Sequence, residues 1–156
     1  MTGSLCHAAL ASCVLAAVPV QSTSDALAGK WELNVARTHY GGGAEPRQRE
    51  SFTCVLAGDQ LTCTIDSVRI DGRHVGGGFT ARYGGPPGPT HGIPDVDHAK
   101  LQRVSATISD ATFTLAGRDV YAYRAVRSDN GKSLTIISVD PGTRAVLNSV
   151  VVYDAR

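Results

Sequence analysis

From Gly29 onward the chain is built of short runs rich in Val, Thr, Ile and Tyr, in which apolar and polar residues exchange every second position. A two-residue period sends alternate side chains to opposite faces of an extended strand. An amphipathic helix instead needs apolar residues three and four apart, and no window sustains that spacing. The pattern predicts strands over 29–36, 49–57, 60–70, 74–83, 99–107, 111–117, 119–128, 132–140 and 144–153. Strands this short and this closely spaced indicate an all-β fold, a sandwich or a barrel.

The joints between the runs set the pairing. Gly58-Asp59, Asp71-Gly72, Asp129-Asn130-Gly131 and Pro141-Gly142 each supply the backbone freedom or fixed φ of a tight turn, so sequence neighbours pair antiparallel in meander order. With Gly58-Asp59 as a type II′ turn, Ala57 faces Gln60, Leu56 faces Leu61, Val55 faces Thr62, and Cys54 faces Cys63. Counting from the turn makes the cysteines a non-hydrogen-bonded pair with Cα atoms about 4.5 Å apart, close enough for a disulfide. A Cys54–Cys63 bridge is therefore expected, and the pair lacks the further ligands of a zinc site.

Two stretches break the rhythm. Gly76-Gly77-Gly78 falls inside a run and predicts a bulge or sharp bend. Gly84 to His98 contains four prolines, each of which removes a ladder donor, and is expected to be a semi-extended flap over one end of the sheet.

The beginning of the chain differs in kind. The first charged side chain is Asp25, and an apolar stretch runs from about Ala8 to Val20, shorter than the roughly 20 residues that cross a bilayer. It fits the apolar region of a secretory signal peptide, giving a leader over 1–24 and a domain over 25–156. Leu10-Ala11-Ser12-Cys13 has the residue types of a lipoprotein processing site, yet the apolar run continues past the Cys, so lipidation is the lesser alternative. Removal of the leader takes Cys6 and Cys13 with it and leaves one even pair, as suits a secreted or periplasmic protein.

Fifteen Lys+Arg against fourteen Asp+Glu give a net charge of +1, with no basic surplus to hold a phosphate backbone. Nucleic acid is not expected as a partner. There is no phosphate-binding glycine loop and no Gly-x-Ser-x-Gly elbow, and neither cofactor nor metal is expected. His91, Asp95, Asp97 and His98 are close in sequence and chemically able to hold a divalent ion, but their spacing matches no ligand loop and a solvated turn is the better reading. His39, Tyr40 and His74 would serve as acids or bases only inside a pocket, and the sequence does not bring them together.

Gly29-Lys30-Trp31-Glu32-Leu33-Asn34 places the only Trp at the start of the first strand, with Trp31, Leu33 and Val35 on one face. This resembles the first signature of the lipocalin-like (calycin) barrels, a Gly-x-Trp entering strand one. Together with Arg124-Ala125-Val126-Arg127-Ser128-Asp129-Asn130-Gly131-Lys132-Ser133-Leu134-Thr135, it is similar to a group of uncharacterised secreted bacterial lipocalin-like proteins, over roughly 25–156. The resemblance implies an up-and-down antiparallel barrel of about eight to nine strands. Its interior would bind or carry a small hydrophobic molecule. In that family a late Arg packs over the Trp, and Arg124 is the candidate here.

Trp31, Phe52, Leu56, Leu61, Ile65, Phe79 and Tyr83 fall on faces that can line a cavity, and equally on faces that fill a core. Two alternatives accompany the carrier. One is a small barrel isomerase, cyclase or hydrolase using His39, Tyr40 or His74; the other is a filled-core module acting through its surface.

Overall fold

A computed structural model describes residues 25–41 and 44–156. The leader 1–24, its processing site, Cys6 and Cys13 lie outside the described residues. The strands are β1 (Gly29–Leu33), β2 (Arg47–Ala57), β3 (Gln60–Arg69), β4 (His74–Arg82), β5 (Gly88–His91), β6 (His98–Arg103), β7 (Ile108–Leu115), β8 (Arg118–Arg127), β9 (Ser133–Val139) and β10 (Val146–Ala155). Each pairs antiparallel with its sequence neighbours, and β1 closes on β10, so the sheet is a closed up-and-down barrel. Among the described residues no helix is long and apolar enough to cross a membrane.

The β2–β3 hairpin has the register that its turn dictates. Gly58 sits at φ +64, Cys54 stands opposite Cys63 with Cα atoms 4.1 Å apart, and the two are joined by a disulfide.

Ten strands replace the eight or nine expected because β5 lies inside the proline-rich segment. The flap expected over 84–98 thus contains a barrel strand. Thr90 and His91 pair with β4, while Gly88 and Pro89 pair with β6, so the missing Pro89 N–H leaves no gap in a long ladder.

Of the bulge or sharp bend expected at the glycine triplet, the bulge is absent. The β3–β4 register runs without a shift from Gln60↔Arg82 to Val68↔His74, so there is no bulge. What the triplet provides is proximity: a Cβ on Gly77 would lie 2.5 Å from the His91 carbonyl oxygen and 2.7 Å from Gly92 C. The chain after β5 therefore folds tightly across β4, and Ile93 and Val96 pack against the core.

The first strand is shorter than the alternation suggested. Asn34 accepts a hydrogen bond from the Arg37 N–H and caps a 3-10 turn over Val35–Arg37, which turns Val35 out to solvent.

One end of the barrel is sealed by residues 25–28. The buried Asp25 carboxylate accepts the N–H groups of Leu27 (2.9 Å) and Ala28 (3.0 Å) on one oxygen and Arg103 Nη2 (3.1 Å) on the other. Arg127 Nη1 donates to the carbonyls of Asp25 (3.0 Å) and Ala28 (2.9 Å), and its guanidinium lies 5.1 Å from the Trp31 ring centroid. Trp31 Nε1 donates to the Leu27 carbonyl at 2.8 Å.

The cation over the tryptophan is thus Arg127, not Arg124. The reason is strand parity. Arg127 shares the inward face of β8 with Tyr121, Tyr123 and Ala125, whereas Arg124 points outward and forms a two-pronged pair with Asp110 at 2.8 and 2.9 Å.

Candidate functional site

Above this seal the barrel encloses a cavity of about 320 Å³ with Leu27 on its floor, at the small end of the range for ligand pockets. The wall is apolar. Phe52, Phe79 and Phe113 face one another around it, Ile65, Ile136 and Val151 fill between them, and the disulfide forms part of one side. Phe79 meets Phe113 edge-on at 5.5 Å, and Phe52 meets Tyr153 in the same manner at 4.8 Å, the arrangement that ring quadrupoles favour. The far end is open, with exposed Val120 and Tyr121 on its rim and the Ile93–Val96 loop beside it.

A polar pole occupies the wall near that opening. Arg47 Nε lies 3.0 Å from Glu50 Oε2, the Tyr153 hydroxyl donates to Glu50 Oε1, and Arg47 Nη1 reaches the Tyr153 oxygen at 3.4 Å. Arg47 and Glu50 are three residues apart, a spacing that puts side chains on opposite faces of a regular strand. Here β2 carries a bulge between Arg47 and Arg49, and the extra residue brings both side chains inward. Glu50 is cross-strand from Ser67, itself opposite Val75, and all three line the cavity.

Ser67 is 2% exposed, and its hydroxyl makes no hydrogen bond with any described residue. Burial raises the Tyr153 phenol well above its ordinary value, with the Glu50 charge adding to the effect. Desolvation within the barrel likewise raises Tyr123 and, although part of its ring is exposed at the rim, Tyr121. All three are neutral hydroxyls at physiological pH.

The residues singled out from the sequence divide by depth. Phe52, Ile65 and Phe79 are on the cavity wall. Trp31 is buried below it, 6.4 Å from Phe52 between ring centroids. Leu61 is buried and Leu56 half-buried beyond the disulfide, off the wall. Tyr83 belongs to the sealed end, under Arg103 at 4.5 Å and donating to Ser109 at 3.1 Å.

Sequence reasoning missed Arg47, Glu50 and Ser67: alternation aligns Glu50 with Phe52 and Cys54, and Ser67 with Cys63 and Ile65, whereas Arg47 reads as solvent-facing until the bulge is known. Tyr121, Tyr123 and Tyr153 were findable, since alternation alone aligns them with Ala125 and Val151.

None of the acid–base candidates lines the cavity. His39 bridges Val150 on the outside, and His74 is an exposed partner of Asp66 at 2.5 Å. Tyr40 lies 6.0 Å from Arg47, outside the lining. The proline-rich segment does not assemble a metal site either. Asp97 is engaged by the Ala116 N–H, Thr114 and His98, and among the described residues no group of three or more His, Cys, Asp or Glu is placed to hold an ion. No protein-family model, curated protein or solved structure matches this chain, so the chemistry of the cavity itself is what bears on function.

Proposed function

We propose that the protein is a lipocalin-like carrier, exported from the cytoplasm, that holds a small, mainly apolar molecule inside its barrel. The observation that carries this reading is a cavity of about 320 Å³, walled by three phenylalanines, sealed at one end and open at the other. A core merely filled by side chains would leave no such space. The disulfide supports an oxidising destination, and the buried Asp25 constrains processing, since cleavage beyond it would remove the seal.

A ligand burying about 300 Å² of apolar surface gains roughly 7 kcal/mol before the cost of lost freedom. Micromolar binding needs about 8 kcal/mol net. Apolar contact alone therefore falls short, and the polar pole has to contribute.

Native mass spectrometry of the exported protein, followed by organic extraction, tests the proposal. A bound small molecule and an amino terminus at or before Asp25 are expected. A ligand-free protein that also takes up no apolar probe would overturn it.

A further inference from the structure

The charges facing the cavity cancel. Among the described residues its wall carries Arg47 and Arg69 against Glu50 and Asp95. The deepest of these are already spoken for: Glu50 has one oxygen on Arg47 and the other on Tyr153. Arg69, at the rim, is paired with Glu45 at 3.3 Å.

A ligand head arriving at this pole meets an arginine and a carboxylate whose charges offset each other, although Arg47 Nε makes no hydrogen bond to a described residue, and there is no net charge to compensate one of its own. A carboxylate would lose its hydration to sit beside Glu50, and an ammonium would do so beside Arg47. A hydroxyl or carboxamide surrenders only hydrogen bonds, and the pole can return them. The Ser67 hydroxyl has no hydrogen-bond partner among the described residues, and the neutral phenols of Tyr121 and Tyr153 line the same cavity from other strands.

Resting on the carrier reading, we propose that the ligand is amphipathic with an uncharged hydrogen-bonding head. The head sits against Ser67, Glu50 and Tyr153, and the apolar body runs down between the phenylalanines toward Leu27. The pole selects against fatty anions and cations of the same length, and the specificity arises from the bulge that turns Arg47 inward to neutralise Glu50.

Calorimetric titration of the oxidised protein with decan-1-ol, decanoate, decylammonium and naphthalene tests this. Decan-1-ol is expected to bind at least about tenfold more tightly than either ion. Ser67→Ala should weaken decan-1-ol about three- to tenfold, the loss of one neutral hydrogen bond, and leave naphthalene, which has no head, unchanged. Glu50→Gln leaves Arg47 uncompensated and should move the preference toward decanoate. If that variant does not fold, the comparison of probes on the unaltered protein and the Ser67→Ala result still decide.

Decanoate or decylammonium binding as tightly as decan-1-ol would overturn the proposal while leaving the carrier standing. So would a Ser67→Ala protein with undiminished affinity for decan-1-ol. Failure of all four probes to bind would overturn the carrier reading and this inference together.

Discussion

The two ends of the barrel use the same kinds of side chain to opposite ends. At the sealed end an arginine, a carboxylate and an aromatic ring are tied to the backbone of residues 25–28: Asp25 accepts two N–H groups, and Arg127 donates to two carbonyls while lying on Trp31. Those backbone groups have nowhere else to turn, so the cluster closes the barrel. At the open end an arginine and a tyrosine converge on a carboxylate and leave the backbone alone, with a cavity in front of them and with Arg47 Nε and Ser67 Oγ making no hydrogen bond to any described residue. Side-chain identity does not distinguish a seal from a site. What distinguishes them is whether the side chains are tied to the backbone of residues 25–28 or converge on one another beside a cavity.

The largest effect should come from the seal. Arg127→Ala strands two carbonyls and removes the cation from the indole face, with an expected loss of about 3 kcal/mol in urea unfolding. Arg124→Ala breaks only an exposed ion pair on the outer wall and should cost less than about 1 kcal/mol. Equal losses for the two variants would mean that the seal is not what holds this end together.

Between the ends lies the disulfide. Cys54 and Cys63 are separated by nine positions, and replacing both by Ala should cost roughly 2–3 kcal/mol in the chain-entropy description. Because the bridge forms part of the apolar wall and not the pole, probe affinities in the folded variant should retain their order. A reversed order would place the pair among the groups that select the ligand.

How far the sequence reached follows the same division. Antiparallel strands, meander order and the cysteine register were legible because alternation and two-residue turns act over a few neighbours, as in Ala57–Gln60 and Cys54–Cys63. β5 was not, because Gly88-Pro89-Thr90-His91 looks like a loop in isolation and becomes a strand only between β4 and β6. Resemblance alone points to Arg124, whereas the parity of β8 with Tyr121, Tyr123 and Ala125 selects Arg127. The pole was the least legible part. One unpaired residue near Gln48 turns Arg47 to the face that Glu50 shares by parity with Phe52 and Cys54, and no local signal in Arg47-Gln48-Arg49-Glu50 announces it.

At the open end, Tyr153→Phe keeps the ring against Phe52 and removes the hydroxyl that donates to Glu50. A hydrogen bond to a charged group is worth about 1.5–3 kcal/mol; the Arg47 contact left to Glu50 puts the expected loss near the lower figure. The pH dependence has a definite sign. Burial first, and the Glu50 charge second, raise the folded-state phenol above its unfolded value. Its contribution is therefore fully present below about pH 10 and is lost as the pH rises further, because the unfolded phenol ionises first. Alkaline unfolding followed by phenolate absorbance should show a shallower decline for Tyr153→Phe. An identical profile would leave Tyr153 without a part in it.

The smallest change in stability should come from Ser67→Ala, and its sign is the informative part. A buried hydroxyl with no partner among the described residues costs desolvation and gains nothing in return, so its removal should leave the protein as stable as before or up to about 1 kcal/mol more stable. The same substitution at a fully bonded serine would be destabilising. Urea midpoints measured beside the decan-1-ol titration therefore test the contrast between the ends at a single atom. A group retained for the fold should lower both stability and affinity when removed, while one retained for a ligand should lower affinity alone. A clear loss of stability in Ser67→Ala would show that the hydroxyl is engaged by the chain, and the open end would then be a second seal.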